Sequence, residues 1–493
     1  MKKIIFLFAM LLAVGGAKAS ITNVRYATFV APGSSASASY NSETGVYSWW
    51  DSTNNLMTVF TFENGELANY SKLCVKGLVA GSGNTGKYLR AQVVYSDNAT
   101  QDFQWYSYDD KEITLSETKW GDSNLTSNKT LADIKAIKIG GREVADGVSK
   151  DSPHTVTILW NKVYLVNDDD AVVTALFGTP DGSASYSVPT YSWTNASQSN
   201  LMALFSGSAG DFSNYSNGVL QVTFTPDDNT NAVRIGYHNG STFTVHGNGF
   251  YSGGTKQLDM SSISSGAASA TTIKFGAKDA KNSASSGSVT IRPDEVFLVR
   301  SEAYMRSFTA NQTSTVWLPF ALTAEEVANV KGKFYELTAA TSSSLTFTEV
   351  TGATEAYKPY VFVASETGTP FSGFKSKTVV APKTCSYTVG GYTFVGSMKD
   401  ATVPSGAYGF SSNAFKKAGT GVTIKAFRAY ITSSIGNAPS MLDIDLGEGG
   451  TTGISTVESE KQEDDVMYNL QGQRVSGGHK GLVIKNGRKY FAK

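Results

Sequence analysis

The run Gly81-Ser82-Gly83-Asn84-Thr85-Gly86-Lys87 satisfies GxGxxG and the first part of a phosphate-binding loop. That chemistry needs a helix starting at the loop, whose N-terminal amides hold the anion. Here Leu78-Val79-Ala80 and Tyr88 to Tyr95 both read as strands, and Tyr88 stands where Ser or Thr would hold magnesium. A glycine-rich hairpin loop is expected instead. The four histidines, His154, His238, His246 and His479, have no paired metal spacing. His238 and His246 flank one predicted loop, which makes His246 a candidate ligand contact against the plainer reading of a surface histidine. There is no HExxH or GxSxG, and Asp109-Asp110 lacks a second carboxylate across a cleft, so a non-catalytic protein is expected. Asp168-Asp169-Asp170 offers hard oxygen ligands for a structural calcium, although a solvated acidic linker explains it as well. No other cofactor is expected.

Aromatic side chains are the remaining chemistry. A flat ring binds a sugar because C–H bonds pack on its π surface, while nearby amides and carboxylates meet the hydroxyls. In Phe103-Gln104-Trp105-Tyr106-Ser107-Tyr108-Asp109-Asp110, alternation sends Phe103 and Trp105 to one face and Tyr106 and Tyr108 to the other. Phe243 and Val245 match the first face in apolar character, so that face is assigned to the core. The candidate ligand-binding set is therefore Trp50, Tyr106, Tyr108, Asp109, Trp120 and His246. Trp49 and Trp193 occupy matching positions and are assigned to the scaffold.

The supporting elements are announced by a repeat. Tyr47-Ser48-Trp49, Asn55-Leu56-Met57 and Asn69-Tyr70-Ser71 return as Tyr191-Ser192-Trp193, Asn200-Leu201-Met202 and Asn214-Tyr215-Ser216. The offset is 144 at the tryptophans and 145 afterwards. It falls to 136 between Ile137-Lys138-Ile139-Gly140 and Ile273-Lys274-Phe275-Gly276, then to 133 between Val163-Tyr164-Leu165-Val166 and Val296-Phe297-Leu298-Val299. Shrinking offsets mean shorter loops on a retained scaffold. Two copies cannot close a solenoid, so each should own a core. Alternating segments such as Tyr88 to Tyr95 and Ala232 to Tyr237, with Gly, Asn and Asp turns, predict two-sheet antiparallel sandwiches.

Lys2 and Lys3, the apolar run Ile4 to Val14 and Ala17-Lys18-Ala19 have the pattern of a cleavable secretory signal. That run is too short for a permanent span, and no transmembrane helix is expected. The chain has 42 basic and 42 acidic residues; without Lys2, Lys3 and Lys18 the balance is −3, which gives no pull toward nucleic acid. Only Cys74 and Cys385 are present, in different predicted domains, so each is expected to be buried and unpaired.

The Asn-Tyr-Ser segments, the central Ile-Lys-Ile-Gly type strand and the closing strand pair resemble galactose-binding-like jelly rolls, a group that includes many carbohydrate-binding modules. The resemblance implies scaffold roles for the closing strands and ligand contacts on loops or a concave face. Arg306-Ser307-Phe308, Thr315 to Phe320, Lys358-Pro359-Tyr360 and Phe427 to Ile431 resemble a β-domain found near the ends of exported Bacteroidota proteins, where it acts as a spacer. One helix is expected from Thr323 to Val330, capped by Thr323. Met467 to Val475, Lys480 to Ile484 and Asn486 to Tyr490 resemble the C-terminal sorting segment of type IX secretion cargo, with Asn486-Gly487 as a hairpin cue. That implies an export machinery as partner.

The expected fold is all-β: two tandem antiparallel β-sandwich (jelly-roll) domains, a third β-rich domain and a short C-terminal β-segment. The expected divisions are a signal peptide at 1–19, sandwiches at 20–167 and 168–303, a β-rich spacer domain at 304–448, a linker at 449–465 and a sorting or anchoring segment at 466–493. The expected function is that of a secreted or outer-surface protein binding a glycan. A structural protein binding other surface proteins and an accessory component of a polysaccharide-utilisation system are the alternatives.

Overall fold

The computed structural model describes residues 21–447 apart from 22, 64, 82–87, 146, 168–169, 196–198, 282 and 384–385, and four short strands between 467 and 492. The expected signal peptide, the glycine loop at 82–87, Asp168, Asp169, Cys385, the expected linker and Asn486-Gly487 lie outside the described residues.

The first repeat contains β1 (Asn23–Tyr26), β2 (Ala38–Asn41), β3 (Val46–Trp49), β4 (Leu56–Thr61), β5 (Lys72–Val75), β6 (Val79–Ala80), β7 (Leu89–Tyr95) and β8 (Thr100–Trp105). It continues with β9 (Lys111–Ser116), β10 (Lys119–Trp120), β11 (Ser123–Asn124), β12 (Ile134–Gly141), β13 (His154–Thr157) and β14 (Val163–Asn167). The second contains β15 (Val172–Thr174), β16 (Ser185–Ser187), β17 (Thr190–Thr194), β18 (Met202–Ser206), β19 (Val219–Pro226), β20 (Thr230–His238), β21 (Phe243–Val245), β22 (Gly254–Asp259), β23 (Thr272–Ala280) and β24 (Ser286–Val299).

The two topologies coincide. The order β4-β12-β7-β8 in the first copy becomes β18-β23-β20-β21 in the second. The opposing strands run β1-β14-β5-β9 and β2-β3-β13-β6 in the first copy. In the second copy β13 and β14 have fused into β24 and β5 and β6 into β19, giving one sheet with the same neighbours. The repeat is thus a repeat of pairing, and each copy encloses its own apolar cluster, built around Trp49 and Ile137 in one and Trp193 and Phe275 in the other. Ile21, from the start of the first copy, packs into the second cluster.

Matched side chains hold matched turns. The Tyr47 hydroxyl donates to Asn55 O, and Tyr191 does the same to Asn200 O at 2.8 Å. Asn55 and Asn200 are fully buried, and their amides donate to backbone carbonyls, Asn55 to Asp51 and Gly141 and Asn200 to Thr194 and Asn195. Buried amides so partnered close the loops without leaving polar atoms unpaired.

Alternation is weaker than expected in three places. Val163–Asn167 and Val296–Val299 are buried on both faces, because their outward sides meet other elements. Tyr164 and Val166 pack with Val24, Tyr26 and Cys74, while Phe297 and Val299, with Val172 and Val219, join the apolar cluster of the third domain. Strands covered on both sides lose their polar stripe. Thr230–His238 is also almost wholly buried.

The third domain carries a ten-stranded sheet, antiparallel except where Ser344–Glu349 runs parallel to Met441–Asp445. Hydrogen bonds from Ala429 N to Thr315 Oγ1 (3.0 Å) and from Trp317 N to Phe427 O (3.2 Å) bring its first strand back onto Arg428–Ser433, so the sheet curls around Leu337, Phe347, Phe394 and Ile431. The expected helix is present as Ala324–Asn329, with Thr323 and Glu326 forming a reciprocal cap. The third domain packs directly on the second sandwich. Gln221 Nε2 donates to Val379 O (3.0 Å), and Val379 N donates back to Gln221 Oε1 (2.7 Å). Lys375 pairs with Asp259 at 2.8 Å.

All three units meet at Asp170. Its carboxylate accepts from Asn23 and Asn167, its carbonyl from Tyr215, and Lys399 donates to Asn167. The tail strands form a four-stranded antiparallel sheet in which Lys485 pairs with Arg488, the register of a two-residue hairpin. No helix among the described residues is long and apolar enough to cross a membrane.

Candidate functional site

The central sheet of the first sandwich presents a polar face to water. In the ladder between β7 and β8, Arg90 lies opposite Gln104 and Gln92 opposite Asp102. Asp102 ties them together, accepting from Arg90 at 3.1 Å and from Gln92 at 2.8 Å. Arg90 also reaches Ser52 O at 3.1 Å, which holds the loop after Trp50 against the same strand.

Tyr106 stands at the end of this row, just past the last residue of β8, and is 62% exposed. Arg142, following the end of β12, lays its guanidinium 4.7 Å from the ring centroid. Tyr88 meets the ring edge-on at 5.9 Å, and the Tyr106 hydroxyl donates to Gln104 at 2.5 Å. A cation against a ring adds about 0.5–1 kcal/mol at an exposed site, and these contacts order the ring before any ligand arrives.

Strand pairing locates the counterpart in the second copy. Trp105 pairs with Leu89, and Phe250 bridges Val233; Leu89 and Val233 are themselves matched by the repeat and lie opposite Gly141 and Ala277. Trp105-Tyr106-Ser107 therefore corresponds to Phe250-Tyr251-Ser252. Tyr251 is 58% exposed, and Lys278, one residue after Ala277 as Arg142 is one after Gly141, sits 5.5 Å from its ring centroid. Lys278 also donates to the Tyr251 hydroxyl at 3.3 Å and to Asn248 O. Each copy thus carries one exposed tyrosine braced by a cation from the matching strand position.

This revises the sequence alignment. Phe243 and Val245 are half-buried and lie opposite His238 and Gly236, so they match the beginning of β8 and not Phe103 and Trp105. A longer loop, containing His246, intervenes before the chain rejoins at Phe250. His246 is half-buried and stacks on Phe250 at 5.8 Å. The aromatic-Tyr-Ser triplets were the available signal; the extra loop residues displaced them from the expected offset.

The other expected residues fall in different places. Trp120 is corrected to the core: it is 3% exposed and stacked on Phe103 at 5.1 Å, out of reach of a ligand. Tyr108 is half-buried and packs against the first core, because the strand ends at Trp105 and its alternation stops there. Asp109 is exposed, and Trp50 is half-buried with Lys150 6.0 Å from its ring. Phe103, Trp105, Trp49 and Trp193 are buried.

Asp170 holds its carboxyl in amide hydrogen bonds, and burial pushes it up from 3.8 to about 7 against the opposing pull of Lys399 and the two amides. It acts as a junction acceptor; Asp168 and Asp169, the rest of the run considered for calcium, lie outside the described residues. Among the described residues no group of three or more His, Cys, Asp or Glu is placed to hold a metal. Cys74 is buried and unpaired, its thiol pushed up by burial.

No family model matches the chain, and no curated protein matches it. Among solved structures, a candidate secreted protein from Parabacteroides distasonis is similar at 10% identity over 57% of this chain and 99% of that one, with a TM-score of 0.13. The VP2 subviral particle of infectious bursal disease virus is similar at 10% identity over 58% of this chain and 72% of that one, with a TM-score of 0.14. TM-scores of this size assign neither fold nor function.

Proposed function

We propose that this is a non-catalytic, exported protein that binds glycan through its tandem sandwiches, one tyrosine platform to each. The observation that carries the reading is the duplicated pair of exposed rings, Tyr106 on Arg142 and Tyr251 on Lys278. A braced ring with a free face suits the C–H side of a sugar, and the adjoining row of amide, guanidinium and carboxylate groups suits its hydroxyls. Two weak platforms on one chain gain avidity on a polymer. Asp102 and Asp110 are engaged by Arg90 and by Gly77 N, an arrangement that serves recognition and not paired acid–base work. The signal-like leader and the tail hairpins fit export, with a sorting machinery as partner.

A glycan array probed with the mature chain tests the reading. Binding that Tyr106→Ala and Tyr251→Ala both weaken supports it. Binding that survives the double substitution removes the platforms, and no binding to any glycan favours a protein-binding surface component instead.

A further inference from the structure

The third domain contains a cleft of about 380 Å³ between its large sheet and the small two-stranded sheet formed by Ala401–Thr402 and Thr423–Ile424. Five cations line it, Arg306, Lys416, Lys417, Lys425 and Arg428, and no carboxylate does. Such a collection repels itself, and its hydrogen bonds do little to offset that. Lys425 pairs with an acid outside the lining, Asp400, at 2.5 Å, and the same carboxylate favours the charged form of Arg428 from farther away. Lys417 makes one long hydrogen bond, 3.4 Å to Ala438 O. The side chains of Lys416 and Arg428 have no hydrogen bond or ion pair among the described residues. Arg306 is fixed by Thr315 O at 2.7 Å and by Phe308, whose ring centroid lies 4.4 Å away. Burial, and then the charge of Arg428, disfavour its charged form.

We infer that this cleft is a second binding site, for a saccharide bearing a carboxylate or sulfate group. Five guanidinium and ammonium groups gathered around one neighbouring carboxylate, Asp400, keep an excess of positive charge that complements such an anion, and Arg306 is already held in place among them. The cleft is larger than a bare inorganic anion needs and falls in the range of small-ligand pockets. Its floor is apolar, from Val403, Ala418 and Ile424, and Ser314, Ser411 and Thr423 supply hydroxyls at the wall. Apolar floor, hydroxyls and cations together match a ring with C–H faces, hydroxyls and an acidic substituent. Single-stranded nucleic acid would require stacking platforms, whereas the lining offers one aromatic residue, the half-buried Phe410. The inference does not depend on the tyrosine platforms.

The test is titration calorimetry of the mature chain with trigalacturonate, a neutral galactose trisaccharide, an acidic peptide and sodium sulfate. Trigalacturonate should bind, weaken with rising salt, and lose roughly tenfold or more in affinity in Lys416→Ala and in Arg428→Gln. Tyr106→Ala and Tyr251→Ala should leave that affinity unchanged, which separates this site from the platforms. Lys331→Ala, a surface lysine of the same domain, controls for net charge. Equal affinity for the neutral trisaccharide, sulfate binding as tightly as the sugar acid, preferential binding of the peptide, or undiminished binding in both cleft variants would each overturn the assignment.

Discussion

Tyr106 and Tyr251 occupy one structural position in two copies of a single sandwich. Each follows the aromatic residue that pairs with a matched position of the same central strand, Leu89 or Val233, and each lies against a cation one residue past the matched position of the strand beside it. The loops before them differ, but the ring and its brace are retained.

If both rings engage one polymer, their losses should be unequal to a simple sum. Tyr106→Ala or Tyr251→Ala alone should reduce apparent affinity for a polymeric glycan by roughly 10²-fold or more by removing avidity, with little further loss in the double variant. A monovalent oligosaccharide should show only the intrinsic effect. Surface plasmon resonance on immobilised polymer against soluble oligosaccharide reads the difference, and identical behaviour of the two formats would exclude linked sites.

Stability should respond at the buried asparagines instead. Asn55→Ala and Asn200→Ala each remove two buried amide hydrogen bonds to backbone carbonyls, at a cost of about 1–3 kcal/mol. Hydrogen exchange should place each loss in its own copy. Equal loosening of both copies by one substitution would contradict separate cores.

Asp170 gives a pH signature. Its folded carboxyl is raised to about 7 from 3.8, so between those values the folded chain holds a proton that the unfolded chain releases. Its contribution is fully present below about pH 4, declines as pH rises and is gone above pH 7. The difference in stability between the wild type and Asp170→Asn should therefore move against the wild type by at most about 1.4 kcal/mol per pH unit across that window. Melting curves of both proteins at pH 4, 5.5 and 7.5 check the sign; a flat difference means the carboxyl is not buried at the junction.

The joint between the second sandwich and the third domain rests on Gln221 and Val379. Gln221→Leu leaves the Val379 amide and carbonyl buried and unpaired, which should destabilise the joint by about 2–4 kcal/mol and expose residues near Val379 to protease. Unchanged proteolysis would show that the apolar contact around Phe297 and Val299 suffices.

Legibility in the sequence followed the range of the forces involved. Tyr47 and Asn55 could be matched to Tyr191 and Asn200 because each tyrosine hydroxyl bonds the asparagine carbonyl only eight or nine residues on, so the motif, with Trp49 and Trp193 inside it, survives as a string. The cap at Thr323 was readable for the same reason. Trp120 and Tyr108 were not, since exposure depends on where a strand stops and what covers it, and Trp105 marks that stop only through pairing with Leu89.

By itself, the amino-acid order determined an all-β chain, its duplication and the tail hairpin, because alternation and turn residues act locally. Tertiary structure decided which rings reach water, that Tyr251 and not His246 answers Tyr106, and that five cations spread from Arg306 to Arg428 share one cleft. Those outcomes come from strand register and from surfaces meeting across long separations in sequence, and neither leaves a periodic trace along the chain.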